Sequence, residues 1–258
     1  KKPPLKIIII QLYTYQKVKK LIKKHNYDLI NISYGFPNYF VTNWLRKKKI
    51  PIVITEFHLG TGMDIIDEKQ NPFFVNPMLN RIYNIADEIT VISNEQKRFV
   101  KKISGRKSKV IFQGTDEKVF TPNNKSNNLK KKYKINGPML LTVSRLNKRK
   151  NISDQLLALK LVTQKFPNTK LLIVGKGGEE QKLKLITKRL KLKDNVIFTG
   201  FVSEKELPKL YATADIFLLT SKLEGFGIAN CEALASGTPV VTYDTMAAGD
   251  FIINGKTG

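Results

Sequence analysis

The chain has 258 residues, 45 Lys and Arg against 21 Asp and Glu for a net charge of +24, 41% hydrophobic residues and one cysteine, Cys231. That length and apolar content suit two modest domains with a core each, and a lone cysteine excludes an internal disulfide and fits a reducing compartment. The longest purely apolar runs, such as Ile7–Ile10, are far too short to cross a bilayer and no signal-peptide pattern opens the chain, so a cytoplasmic protein is expected.

From the N-terminus, hydrophobic patterning predicts strands at Lys6–Ile10, Leu29–Ser33, Ile52–Thr55, Ile89–Ile92 and Val110–Phe112. Helical patterns fall between them at Tyr15–Lys24, Asn38–Lys48, Pro77–Ala86 and Asn94–Lys102. Residues 120–137, rich in Asn, Lys and Pro, read as a linker. The scheme then repeats, with strands at Met139–Ser144, Lys170–Gly175, Asn195–Thr199, Ile216–Leu219 and Val240–Tyr243. Helices are expected at Ser153–Lys165, Glu179–Leu190, Glu204–Thr213 and Ile228–Ser236. Strand–helix alternation implies an α/β protein whose parallel sheets are covered on both faces, a doubly wound fold. The expected division is an N-terminal domain over 1–119, the linker, and a C-terminal domain over 138–258.

Lysine clusters recur at Lys17–Lys24, Arg46–Lys49, Lys101–Lys109, Lys130–Lys134 and Lys182–Lys193. A field of that sign favours polyanions: nucleic acid, anionic lipid headgroups or phosphorylated substrates. Val18, Leu21 and Ile22, set among lysines, make a basic amphipathic helix that can rest on an anionic membrane surface. They equally suit a core-facing stripe with a solvated lysine face.

The densest chemistry lies between Ser221 and Val241. An apolar strand, Ile216–Leu219, runs into Glu224-Gly225-Phe226-Gly227 and then into a helix that Gly237 can end. Unpaired N–H groups and the helix dipole at such a turn favour phosphate. Glu224 in the turn and Glu232 in the helix, separated by seven residues, suit hydroxyl groups better than phosphate, ribose for one and a sugar for the other. The pattern suggests a sugar joined to a nucleoside diphosphate.

This run resembles the Glu, seven residues, Glu signature of retaining glycosyltransferases, specifically glycosyltransferase family 4 (glycosyl transferases group 1). Leu141–Asn151, Lys170–Gly177, Asn195–Val202 and Leu210–Asp215 follow the family's pattern in order. The resemblance is strong over 109–258 and looser over 28–108. It implies the GT-B fold, two Rossmann-like doubly wound domains facing across a cleft, here apparently truncated at both ends.

The resemblance also assigns roles. Arg145 and Lys150, at a strand end and in the loop after it, would neutralise the diphosphate as the leaving group departs, with Lys148 and Arg149 as competing neighbours. A solvated basic loop is the alternative. Glu224 would contact the transferred sugar and Glu232 the ribose, with Gly225, Phe226 and Gly227 offering close backbone approach. Gly175 and Gly177 would line the nucleotide pocket, and Phe201 and Val202 would flank the base. His58, after the strand Ile52–Thr55, resembles the histidine that touches the donor sugar; a buried or capping histidine is the other reading. Front-face attack without a covalent enzyme intermediate needs electrostatic stabilisation and no metal. With two histidines and no Asp-x-Asp pair, neither a metal site nor any cofactor beyond the nucleotide-sugar co-substrate is expected.

Departures from the family pattern are several. Asn31 and Ser33 stand where histidines are frequent, and Asp250 stands near a usual glutamate. The first strand with its Gly-rich acceptor loop and the final crossover helices do not occur, which reads as a fragment. The expected partners are a nucleotide-sugar donor, a sugar or lipid-linked acceptor and an anionic membrane surface, reached from the cytoplasmic side; nucleic acid is not expected. A non-catalytic sugar-nucleotide-binding homologue, a polyanion-binding protein and an epimerase on the same fold are the alternatives.

Overall fold

The computed structural model, which describes residues 5–35, 38–57, 75–245 and 247–258, opens on a helix where a strand is expected. Helix α1 runs unbroken over Leu5–Lys24. β-Branched isoleucines favour strands through their stiff χ1, but Gln11, Tyr15, Val18 and Ile22 recur at helical period. They lay one stripe against the first core. That tertiary contact overrides the local preference.

The first unit, Lys1–Phe112, continues with β1 (Ile30–Ser33), α2 (Tyr39–Lys47), β2 (Ile52–Glu56), α3 (Val75–Ile85), β3 (Glu88–Val91), α4 (Asn94–Ser104) and β4 (Lys109–Val110). Its strands pair in parallel in chain order. The register aligns Ile32, Ile54 and Ile89 on the face that packs under α1–α4. On the other face, Thr55 donates to Asn31 Oδ1 (3.0 Å) and Thr90 to Thr55 Oγ1 (2.9 Å). Among the described residues this sheet therefore carries helices on one face, where two covered faces are expected from the sequence. Helix α4 has both its stops written locally. Ser93 accepts from the Gln96 N–H (3.2 Å), Gln96 Oε1 accepts from the Ile92 N–H (2.9 Å), and Gly105 closes the helix at φ 70°.

The second unit is Gln113–Gly258. Residues 120–137, expected as a linker, are part of it: a 3₁₀ turn at Pro122–Asn124, helix α5 (Asn127–Lys132), and Leu129 and Ile135 buried in its core. Then follow β5 (Met139–Val143), a 3₁₀ turn at Lys148–Lys150, α6 (Ile152–Lys165), β6 (Lys170–Val174), α7 (Glu180–Arg189), β7 (Val196–Gly200), α8 (Leu207–Thr213), β8 (Ile216–Leu219), α9 (Ile228–Ala235), β9 (Val240–Thr242) and α10 (Ala248–Phe251). All pair in parallel, in the order β7-β6-β5-β8-β9.

Strands β5 and β6 are buried almost throughout, as central strands covered on both sides must be. Met139, Leu141, Leu172, Val174 and Phe217 face α5, α8 and α9, whereas Leu140, Leu171 and Ile173 face α6 and α7. Each such side chain contributes about 1.5–3 kcal/mol of burial.

Candidate functional site

The strand order of the second sheet reverses between β5 and β8, which are neighbours there. The chain leaves β5 toward β6 on one side and leaves β8 toward β9 on the other. Loops following two such strands diverge, and the crevice beyond their C-terminal ends is where open α/β sheets bind ligands. Here those loops are residues 144–151 and 220–227, which hold Arg145, Lys150, Glu224, Gly225, Phe226 and Gly227. The Lys222 N–H donates to the Arg149 carbonyl (2.9 Å), tying one loop to the other.

Lys150 and Glu224, given separate duties by the sequence, meet. Lys150 Nζ lies 2.5 Å from Glu224 Oε2, and the two side chains are only 14% and 17% exposed. The Ser221 hydroxyl donates to the same carboxylate oxygen (3.0 Å). Water screens this pair far less than the Lys109–Glu88 pair, exposed by 70% and 42%. The Asn147 side chain accepts from the Lys150 N–H (3.2 Å) and fixes the 3₁₀ turn that carries the lysine. Arg145 is exposed at the end of β5, and no hydrogen bond or ion pair engages its guanidinium among the described residues. The sequence does not single out Ser221; the turn after β8 brings its hydroxyl to the Glu224 carboxylate three positions on.

At the turn into α9, Gly227 takes φ 85°, and a Cβ there would stand 3.1 Å from Asn230 Nδ2. Only glycine accepts that conformation at little cost. Phe226 is buried and its ring packs on Phe251 at 5.1 Å, so the phenylalanine anchors the turn between its flanking glycines. Glu232 does not stand free over the turn. Its Oε2 accepts from the Tyr211 hydroxyl (2.7 Å), and burial raises its pKa while that hydrogen bond opposes the rise. Tyr211 on α8 is fully buried between Phe120 and Phe217. In the sequence it reads as a core aromatic, so the contact to a residue 21 positions away leaves no local signal. Beside Glu232, burial and the neighbouring carboxylate push the Cys231 thiol up to about 11.

Gly175 and Gly177, in the loop after β6, are glycines for a steric reason. Gly175 sits at φ 125°, and a Cβ on it would run into the Ser144 carbonyl; one on Gly177 would run into that of Leu146. The loops after β5 and β6 are in backbone contact, with the Leu146 N–H donating to the Lys176 carbonyl (3.0 Å). Phe201 is 75% exposed, with Lys176 Nζ 5.7 Å from its ring centroid, an aromatic face open to a planar ligand. Val202 packs partly into the core.

His58 lies outside the described residues. Two positions before it, at the end of β2, Glu56 is 2% exposed. It accepts from the Gly35 N–H (2.7 Å) and the Tyr83 hydroxyl (3.0 Å). Burial outweighs both donors and raises its pKa to about 7. Among the described residues no three His, Cys, Asp or Glu side chains gather as a metal site would need, and no helix is long and apolar enough to cross a membrane.

Comparison with known proteins matches this arrangement along nearly the whole chain. The profile of the family described as glycosyl transferases group 1 matches residues 124–258, and that of glycosyltransferase family 4 matches residues 2–119. The chain is 27% identical to N-acetyl-alpha-D-glucosaminyl L-malate synthase of Bacillus anthracis, over 94% of this chain and 63% of that protein. It is 28% identical to alpha-monoglucosyldiacylglycerol synthase of Streptococcus pneumoniae, over 89% and 54%. With a GDP-mannose-dependent alpha-(1-6)-phosphatidylinositol monomannoside mannosyltransferase of Mycolicibacterium smegmatis it shares 30% identity, over 99% and 68%. Among solved structures, sucrose-phosphate synthase from Thermosynechococcus elongatus has a TM-score of 0.81 at 22% identity, over 98% of this chain and 65% of that one. Anabaena Alr3699/HepE in complex with UDP-glucose has a TM-score of 0.74 at 23% identity, over 92% and 65%. These likenesses establish the fold. The chain spans between about half and two thirds of the length of these relatives.

Proposed function

The chain belongs to the glycosyl transferases group 1 family (glycosyltransferase family 4), and on that premise we propose that it transfers a sugar from a nucleoside diphosphate-sugar to a hydroxyl acceptor with retention of configuration and without a metal ion. The observation that carries this reading is the enclosed Lys150–Glu224 pair at the reversal of strand order, with Arg145 uncommitted at the same sheet edge. A diphosphate entering there competes with Glu224 for Lys150 and recruits Arg145. The released carboxylate is then free to accept from sugar hydroxyls. Glu232, already a hydrogen-bond acceptor, suits the ribose; the exposed Phe201 ring and its neighbour Val202 suit the base; and Gly175, Gly177, Gly225 and Gly227 admit the ligand to the backbone.

In the transfer, the bond from the anomeric carbon to the β-phosphate oxygen breaks, and the acceptor oxygen bonds to that carbon on the same face. The acceptor's proton passes to the departing phosphate. Glu224 serves as an electrostatic and hydrogen-bonding partner here, with Ser221 still holding its carboxylate once Lys150 turns to the diphosphate. His58 is assigned to the donor sugar by family likeness alone.

A lipid-linked acceptor met at an anionic bilayer surface on the cytoplasmic side fits the outward face of α1. That face exposes Ile9, Leu12, Tyr13 and Leu21 beside Lys17, Lys20, Lys23 and Lys24. The apolar groups suit the headgroup boundary and the lysines suit lipid phosphate. Sedimentation with phosphatidylglycerol vesicles, lost at high salt, tests this part.

The donor reading is tested by calorimetric titration with UDP, GDP and ADP in the presence of a chelator, native chain beside Glu232→Ala. Saturable binding of one nucleotide, weakened at least tenfold by the substitution, is expected. A folded chain that binds none of the three sinks the reading. Proton NMR of the anomeric centre in the first product formed decides between retention and inversion.

A further inference from the structure

We infer that Gln155 and Thr220 are positioning residues that hold the Lys150 loop in register with Glu224, a role that rests on the donor-site reading above for its use but not for its geometry. The two side chains are 65 positions apart and both buried, on the first turns of α6 and just beyond the end of β8. Gln155 Nε2 donates to Thr220 Oγ1 (3.0 Å) and lies 3.3 Å from Thr142 Oγ1 on β5. The single Thr220 hydroxyl proton is shared between the carbonyls of Asn151 (3.1 Å) and Lys150 (3.3 Å). The donors all run one way, from the α6 amide through the β8 hydroxyl into the backbone that carries Lys150.

The next two residues complete the gauge. Ser221 Oγ holds the Glu224 carboxylate (3.0 Å), and the Lys222 N–H holds the Arg149 carbonyl (2.9 Å). Three consecutive residues after β8 thus fix both ends of the Lys150–Glu224 pair, Thr220 from the lysine side and Ser221 from the glutamate side. Asn151 takes the left-handed conformation (φ 49°), so the loop turns sharply where Thr220 grips it.

The amide oxygen of Gln155 is buried with no hydrogen-bond partner among the described residues. An apolar residue in that place would avoid leaving a buried acceptor unsatisfied. What glutamine supplies that leucine cannot is the donation to Thr220, and through it the orientation of Lys150. Without the grip, the lysine would still be present but spread over several rotamers, and a diphosphate would have to order it on binding.

The test reads Lys150 directly and needs no nucleotide. Trace acetylation by acetic anhydride, resolved residue by residue by mass spectrometry, reports how often the ammonium leaves its ion pair. Thr220→Val, which keeps shape and removes the hydroxyl, is expected to raise the Lys150 rate about fivefold, the usual effect of one buried hydrogen bond. Thr220→Ser is expected to stay within about twofold of the native rate because it keeps the hydroxyl. Gln155→Met is expected to fall between the two, and Lys109, paired with Glu88 in the first unit, and Lys184, paired with Glu180 on α7, to stay unchanged in all three. An unchanged Lys150 rate in a folded Thr220→Val chain overturns the inference, as does equal acceleration by Val and Ser. Should Thr220→Val accelerate every lysine alike, it has unfolded and Gln155→Met decides by the same criterion. Titration of the same variants with UDP, GDP and ADP separates the two claims. A native chain that binds none of the three removes the donor-site reading and leaves the labelling result standing. Binding weakened in Val and restored in Ser joins the two.

Discussion

In the first sheet the strands run β1-β2-β3-β4 in chain order, so every right-handed crossover lands on the same face. In the second the order β7-β6-β5-β8-β9 reverses, so crossovers land on both faces and the loops at the reversal part. The carboxylates at the two sheet ends differ accordingly. Glu56 is closed in by Gly35 and Tyr83 and driven toward neutrality, whereas Glu224 sits in a divergence of loops with Lys150 and Ser221 as partners. One carboxyl is held by partners inside its own unit and the other is placed to exchange partners. The lesson is that a reversal of strand order parts the loops that can receive a charged ligand.

The sharpest way to break that comparison is at the reversal. Lys150→Ala is expected to lower sugar transfer by about 10²–10³-fold, the scale for losing one group that stabilises a departing charge. A drop below about threefold, in steady-state assays with the nucleotide-sugar that binds, would move the chemistry elsewhere. Next in size, Gly175→Ala forces a Cβ against the Ser144 carbonyl at φ 125°. Chemical denaturation should show a loss of roughly 4 kcal/mol, from strain and displaced backbone together.

The closed end gives a pH signature. A carboxyl whose folded pKa is raised from 4.5 to about 7 contributes its full stability below 4.5 and loses it as pH rises through about 7. Glu56→Gln keeps an acceptor for Gly35 and Tyr83 without the charge. Relative to the native chain it should therefore gain on the order of 3 kcal/mol between pH 4.5 and 8. A flat difference would mean Glu56 is ionised throughout. Loss of nucleotide binding in this variant would break the contrast between the two sheets. The smallest effect is local: Ser93→Ala removes the cap of α4 and should cost about 1 kcal/mol in thermal melts, with nucleotide affinity untouched.

Much of this was legible in the sequence wherever the signal was local. Helix α4, expected over Asn94–Lys102 from its helical pattern, runs Asn94–Ser104, and β8 appears over Ile216–Leu219 as its apolar run and following turn require. Ile7–Ile10 misled because β-branched residues carry a strand preference that only the distant core of the first unit overrules. Residues 120–137 misled because polar composition hid Leu129 and Ile135, the two side chains that dock the segment. At the site, the residue types near the crevice could be read from spacing, but their partners could not. Lys150 and Glu224 are 74 positions apart, Gln155 and Thr220 are 65, and the carbonyls that demand Gly175 and Gly177 belong to Ser144 and Leu146. Such pairings exist only once the parallel strands are laid side by side.

Cys231, half-buried beside Glu232, has a consequence for experiment. With burial and the neighbouring Glu232 pushing its thiol up to about 11, Cys231 carries little thiolate near neutral pH. The only sulfhydryl in the sequence is thus nearly silent toward maleimides, iodoacetamide and mild oxidants. A second cysteine placed on an exposed position such as Lys222 would take a fluorophore or spin label almost alone. The native chain is in effect already a near-blank background for a label placed beside the crevice.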